Sequence, residues 1–226
     1  PNGGQLCWTN PELQKEVARN ALRQIRKNPS AGIISISQND WHGGCECDVC
    51  GPLDRQEGTR AASLITGINA IAALIAQEYP DFLIETLAYQ YTRRPPRTVR
   101  PADNVLVRLC SIECDFAHPL AGESNRSFGD DLRGWSKIAK NLFVWNYTTN
   151  FANYLIPHPN LRPIADDVRF FVDHNVVGLF QQGDCFNQGA GDFLQLRAWL
   201  HAKLMWDSSL DQARLIDEFL NGYYGP

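Results

Sequence analysis

GIISISQNDWHGG, at residues 32–44, is the stretch that decides the fold class of this chain. It begins with a short apolar run and ends in polar and aromatic residues. The same pattern recurs in DFLIETLAYQYT (81–92), NVLVRLCSIECD (104–115), NLFVWNYTTN (141–150) and VVGLFQQGD (176–184). Helical patterns separate most of these stretches, which predicts parallel β-strands joined by right-handed crossovers. The carboxyl ends of such strands share one edge, where functional side chains gather.

Two helices are predicted from their caps and apolar spacing. Asn10 can cap a helix whose first position is Pro11, where a missing N–H costs nothing, and its apolar stripe continues to Ile25. A second helix is predicted over residues 61–75, where apolar residues recur at the helical period before Pro80.

The strand count leaves two architectures open. If Gln5–Trp8 is also a strand, the chain carries six βα units, whereas a closed (β/α)8 barrel needs eight. The chain is then either an open sheet or the C-terminal six units of a barrel whose first two units lie upstream. The abrupt start just before a strand favours the second, with residues 1–226 as a single, partial barrel domain within a longer multidomain chain.

Composition excludes several classes of function. The 226 residues include 21 basic and 25 acidic side chains, a formal charge of −4, which argues against a nucleic-acid partner. No apolar run approaches the roughly 20 residues that a membrane span needs. No phosphate-binding glycine loop occurs, so no organic cofactor is expected.

Two carboxylates at strand ends are the predicted catalytic residues. Asp40 follows the first long strand beside an amide and an indole, a natural setting for a general acid, although it could equally cap its own loop. Glu113 is predicted on the same strand face as Val105, at the mouth of the sheet. Two carboxylates are the minimum apparatus of glycoside hydrolysis. Glu85 lies earlier in its strand and is expected to be buried and paired.

A second set of strand-end residues could bind sugar rings and hydroxyl groups, and Asp184 could serve there as a third carboxylate. This predicted substrate-binding set comprises Asn39, Trp41, His42, Tyr89, Tyr91, Trp145, Asn146, Tyr147, Gln182 and Asp184. Ordinary core packing would also explain most of the aromatic members.

Three cysteines follow Asp40 in a C-x-C-x-x-C pattern: Cys45, Cys47 and Cys50. This tight spacing favours a structural Zn²⁺ site, with His42, Cys7 or Cys185 as the fourth ligand. The alternative is a disulfide with a free thiol, which would require an exported protein. Under that alternative the protein would be extracellular or periplasmic, and the sequence otherwise leaves its location open.

The chain resembles the domain of unknown function (DUF) 4838 family. The resemblance covers nearly all of the chain and is carried by QNDWHGGCECDVC, by LAYQYTRRPPRTVRPADNVLVRLCSIECDFAHPL, by WNYTTNF with a following PHPN, and by the terminal EFLNGYYG. It implies a (β/α)8 TIM barrel of glycoside-hydrolase type, with Gln5–Trp8 as the third strand and residues 177–182 as the eighth. The seventh strand then ends in Asn146, which places direct nucleophilic attack from that position in doubt and favours Glu113 as base or nucleophile.

The resemblance and the strand-end residues together predict a glycoside hydrolase that acts on an oligo- or polysaccharide. The alternative is a non-catalytic barrel that binds carbohydrate.

Overall fold

The computed structural model describes residues 4–154, 156–184 and 191–225. Five strands form one sheet in sequence order. They are β1 (Ile33–Ser35), β2 (Leu83–Ala88), β3 (Val105–Cys110), β4 (Asn141–Tyr147) and β5 (Val176–Gln182). The registers of β1 with β2 and of β2 with β3 are parallel, as predicted.

Seven α-helices accompany the sheet in the described part of the chain. They are α1 (Pro11–Lys27), α2 (Cys50–Glu57), α3 (Ala61–Ala76), α4 (Arg126–Ile138), α5 (Ile164–Val172), α6 (Leu194–Trp206) and α7 (Gln212–Tyr224).

Helices α1 and α3 confirm the predictions from caps and spacing. The Asn10 side chain accepts hydrogen bonds from the backbone N–H groups of Glu12 and Leu13, at 2.9 and 3.2 Å. Pro11 occupies the first helical position. Helix α3 is apolar around most of its circumference, because it is almost wholly buried against its neighbours.

The prediction of a closed (β/α)8 TIM barrel of glycoside-hydrolase type is wrong. The sheet is open and has five strands in the described residues, with β1 and β5 at its two ends. A barrel closes only when its first and last strands pair. Gln5–Trp8, counted as a strand, forms none: residues 4–7 are irregular and Trp8 begins a turn. The Gln5 side chain instead hydrogen-bonds to the backbone of Asn39, at 2.8 and 3.0 Å.

The chain divides into two compact units. The first, Pro1–Cys110 with Arg133–Phe143, holds β1 to β3 and the first three helices. The second, Ser111–Leu132 with Val144–Pro226, has a core where α5, α6 and α7 meet, centred on residues such as Val168, Leu200 and Leu215.

The two faces of the sheet in the first unit differ in chemistry. Ile84, Val105 and Val107 lie on the buried face. On the opposite face Glu85 is buried and forms an ion pair with Arg108 at 3.0 Å, which confirms its predicted structural role. Burial raises the pKa of Glu85, while the nearby Arg108 charge acts in the opposite direction.

Among the described residues, no single helix is long and apolar enough to cross a membrane. The bent pair of α2 and α3 meets the length and composition criteria together.

Candidate functional site

Four cysteine thiols of the first unit meet in one cluster. The Sγ atoms of Cys7, Cys45, Cys47 and Cys50 all lie within 4.8 Å of one another. The Sγ of Cys7 is 3.7 Å from that of Cys47 and 3.9 Å from that of Cys50. For a Zn–S bond of about 2.3 Å, the edge of a regular sulfur tetrahedron is about 3.8 Å. The cluster therefore has the donor set of a tetrathiolate metal site, and its sulfur separations are compatible with one.

The fourth donor comes from a distant part of the sequence. Among the three candidates for the fourth position, the structure places Cys7 with the cluster, just ahead of α1, and Cys185 lies outside the described residues. Cys45 and Cys47 lie in the loop before α2, and Cys50 is the first residue of that helix. The four thiols of the cluster are not joined by disulfides.

Backbone hydrogen bonds favour a negative sulfur atom at Cys47. The backbone N–H of Cys50 donates to Cys47 Sγ at 3.5 Å, and this bond with a second backbone bond from Val49 lowers the pKa of Cys47 to about 6. The Thr9 hydroxyl lies 3.0 Å from Cys50 Sγ. Burial outweighs this contact and raises the pKa of Cys50. The neighbouring protein groups thus make one thiolate readily available, before any metal contributes.

The loop that leads into the cluster carries the first group of predicted sugar-binding residues. Asn39, Asp40, Trp41 and His42 are all exposed, and the Trp41 side chain is 57% exposed. The Gln5 side chain also donates to the Trp41 carbonyl, which fixes this loop to the segment that supplies Cys7.

Asp40 belongs to a short chain of hydrogen bonds at the end of β2. The Tyr89 hydroxyl donates to Asp40 Oδ1 at 3.2 Å and accepts from the Gln90 side-chain amide at 3.0 Å. Gln90 has a φ of 51°, a left-handed conformation that is uncommon for a residue of its type. Gln38 is buried and donates to the Tyr89 carbonyl at 3.2 Å. Gln90 was missed in the sequence, because a backbone dihedral leaves no mark in residue type.

Tyr91 lies apart from this chain of hydrogen bonds. It is in a short 3₁₀ helix, Gln90–Thr92, rather than on the strand face shared with Tyr89. Its ring is half-buried, and burial raises the pKa of Tyr91 to about 12. Its hydroxyl is therefore a neutral hydrogen-bonding group at physiological pH.

The second unit places another group of predicted residues together. Trp145 and Tyr147 stack with their ring centroids 6.0 Å apart, and the Trp145 indole donates to Gln182 Oε1 at 2.7 Å. Asn146 is buried: it contacts the Ser111 hydroxyl at 2.6 Å and donates to Gln181 Oε1 at 3.0 Å. Its amide is held by the protein, which favours a structural role over direct sugar contact.

Asp184 accepts hydrogen bonds from two other parts of the chain. One carboxylate oxygen accepts from the Thr149 hydroxyl, and the other accepts from the Gly191 backbone N–H at 2.7 Å. A side chain at position 191 would meet this carboxylate, so the glycine permits the close approach.

Glu113 does not extend the β3 strand face as predicted. The strand ends at Cys110, and the backbone N–H of Cys114 donates to the Ser111 carbonyl at 3.0 Å in a turn. The alternation that would have placed Glu113 beside Val105 stops there, and Glu113 is exposed while Val105 is buried. Strand alternation fails as a guide once the backbone turns.

The observed features define an α/β protein with an open parallel sheet and a four-thiol cluster next to a strand-end loop. The chain belongs to the family described as "Domain of unknown function (DUF4838)", which matches residues 2–226. A comparison with curated proteins gave no match.

Proposed function

We propose that the protein acts on an oligo- or polysaccharide as a glycoside hydrolase, with Asp40 as proton donor and Glu113 as base or nucleophile. The supporting observation is the exposed Asp40 carboxylate, which is hydrogen-bonded to Tyr89 and followed directly by the exposed Trp41 ring. A carboxylate can bind sugar hydroxyl groups, and a flat aromatic ring offers an apolar surface for a sugar face. Both acids lie in segments that follow β-strands.

The test is hydrolysis by Asp40→Asn and Glu113→Gln, measured as reducing ends released from a panel of xylan, pectin and β-glucan. Each variant is expected to lose at least about 100-fold in rate, since acid–base groups typically contribute that much. Asp81→Asn, which removes an exposed acid before β2, is the matched control and should keep the parental rate. Parental rates in both test variants would reject the assignment.

Binding without catalysis is the second candidate. It is favoured by the exposure of both Asp40 and Glu113, because catalytic acids are often tuned by an apolar pocket. If the protein only binds carbohydrate, it should bind specific glycans on a glycan array and release no reducing ends from the polysaccharides. Trp41→Ala would then weaken the array signal.

The thiol cluster is proposed to hold one structural Zn²⁺. The support is the agreement between the observed sulfur separations and those of a zinc tetrathiolate. All four tetrahedral positions would be filled by cysteine, which leaves no open position for a substrate. The metal would fix the loop that carries Asp40 and Trp41 against the segment before α1.

Elemental analysis of the purified protein is expected to find about one zinc per chain. Cys50→Ser should remove most of this zinc, because sulfur is the preferred ligand of the site. The control is Cys110→Ala, a buried thiol outside the cluster, which should leave the zinc content unchanged. A parent protein with reduced thiols and no bound metal would contradict the proposal.

A further inference from the structure

The loop that follows β3 presents a paired histidine and aspartate to solvent. His118 Nδ1 lies 2.7 Å from Asp115 Oδ2, and the two side chains are 60% and 43% exposed. Hydrogen bonding to His118 lowers the pKa of Asp115. The carboxylate can only accept a hydrogen bond, so the ring nitrogen that faces it must carry the proton.

The side chain of a buried asparagine is hydrogen-bonded to the backbone of this loop. Asn125 is 4% exposed, and its Oδ1 accepts from the Asp115 backbone N–H at 2.8 Å. Its Nδ2 lies 2.9 Å from the Asp115 carbonyl, 3.2 Å from that of His118 and 3.1 Å from that of Pro119. One side chain thereby fixes the backbone on both sides of the pair.

The Asp115 carboxylate is itself held in place. Its Oδ1 accepts from the Ala117 backbone N–H at 3.0 Å, which leaves Oδ2 directed at the imidazole. At the far end of the loop, the buried Leu120 donates its backbone N–H to Asp167 Oδ1 at 2.7 Å. The loop is therefore held by Asn125, the residue before α4, and by Asp167 in α5.

The fixed contact between Asp115 and His118 Nδ1 has a chemical consequence for the other ring nitrogen, Nε2. With the proton on Nδ1, a neutral imidazole carries a lone pair on Nε2. A carboxylate behind the ring fixes that tautomer and stabilises the imidazolium formed when Nε2 takes up a proton. As an exposed i,i+3 ion pair alone, His118 and Asp115 would contribute little to stability.

We propose that His118 is a proton acceptor for a hydroxyl group of water or of a saccharide, with Asp115 and Asn125 as its positioning residues. The O–H proton moves to Nε2, the electron pair of that bond stays on the oxygen, and the Asp115 carboxylate faces the resulting imidazolium. This inference rests on the proposed carbohydrate function, and it assigns a role to a histidine whose sequence context, a residue before proline in a loop, suggests only a surface position.

The first measurement is the tautomer of His118 in ¹⁵N-labelled protein, from long-range ¹H–¹⁵N correlation spectra above the pH at which the ring is protonated. The Nδ1–H form is expected in the parent. Asp115→Ala should convert it to the Nε2–H form or to a mixture, while Glu123→Ala, an exposed acid in the same loop, should leave it unchanged. An Nε2–H ring in the parent would overturn the proposal.

The second measurement is the release of reducing ends from the same polysaccharide panel. His118→Asn keeps a donor close to Nδ1 but lacks the outer nitrogen, so a loss of at least about 100-fold is expected. His174→Asn, at the end of α5, is the control and should keep the parental rate. A parental rate in His118→Asn, with loss in Asp40→Asn, would reject this inference and retain the proposed function. If the parent protein hydrolyses none of the polysaccharides, both this inference and the proposed hydrolase function are rejected.

Discussion

Replacing Gly67 by alanine is expected to destabilise the protein by about 1–3 kcal/mol, since forcing an extra carbon atom into a packed core typically costs this much. Gly67 lies in α3, and a methyl group there would overlap the Trp8 carbonyl oxygen and lie 2.9 Å from the Trp8 Cβ. Trp8 is buried, and its carbonyl accepts from the Gln14 side chain at 2.8 Å. The backbone at Trp8 therefore has little freedom to move aside.

The measurement is the free energy of unfolding from urea titration monitored by circular dichroism. Gly222→Ala is the control, because Gly222 also lies in a helix but has no atom within 4 Å of the added methyl group. This control should gain about 0.5–1 kcal/mol from the better helix propensity of alanine. Equal stability of Gly67→Ala and the parent would show that α3 does not pack against Trp8 as described.

The same substitution links packing to the thiol cluster. Cys7 precedes Trp8 directly, so any shift of the Trp8 backbone moves one of the four sulfur donors. We therefore expect Gly67→Ala to bind zinc more weakly than Gly222→Ala in a chelator competition, if the site holds zinc.

The parent protein is expected to lose stability as pH rises from about 4 to about 8. Asp167→Asn is expected to abolish this loss. Asp167 is buried, and burial raises the pKa of this carboxyl to about 7. An unfolded chain would release the same proton near pH 3.9. Between these values the folded state holds a proton that the unfolded state has lost, so stability falls as pH rises through this range. The full effect is about 4 kcal/mol for a shift of this size.

The comparison requires unfolding free energies at several pH values for three proteins. The asparagine can still accept from the Leu120 N–H but cannot ionise, so the variant should gain on the parent as pH rises. Asp173→Asn removes an exposed carboxylate just after α5, and it should keep the parental slope. Identical slopes in the parent and in Asp167→Asn would contradict a buried, protonated Asp167.

The sequence predicts elements whose signals are local. Asn10 and Pro11 locate the start of α1, and apolar spacing locates α3, because capping and helical periodicity act within a few residues. Helix α2 was missed, since its eight residues are too short for a clear period. Its end is marked by Gly58, whose φ of 74° suits the left-handed cap.

Long-range features were predicted less well. Gln5–Trp8 resembles a strand in composition, yet a strand exists only where another strand pairs with it, and here side-chain bonds from Gln5 hold the segment instead. The closed barrel failed for the same reason, because strand pairing depends on the whole sheet rather than on any one stretch.

In the candidate site too, local features were predicted from the sequence and long-range contacts were not. Three of the four thiols were found from their spacing in sequence. Cys7 was only one of three candidates, because it is far from the other three cysteines in the sequence and meets them only in the folded chain. Asp115 and His118 were not predicted as a pair, since their geometry depends on the buried Asn125 side chain.

The position of Cys7 has a consequence for the unfolded chain as well. It is 43 positions away from Cys50, and the segment between them contains all of α1 and β1. A metal bound by both would turn that segment into a closed ring and restrict the conformations of the denatured polypeptide. The amount of zinc available during synthesis would then influence how much of the newly made protein survives.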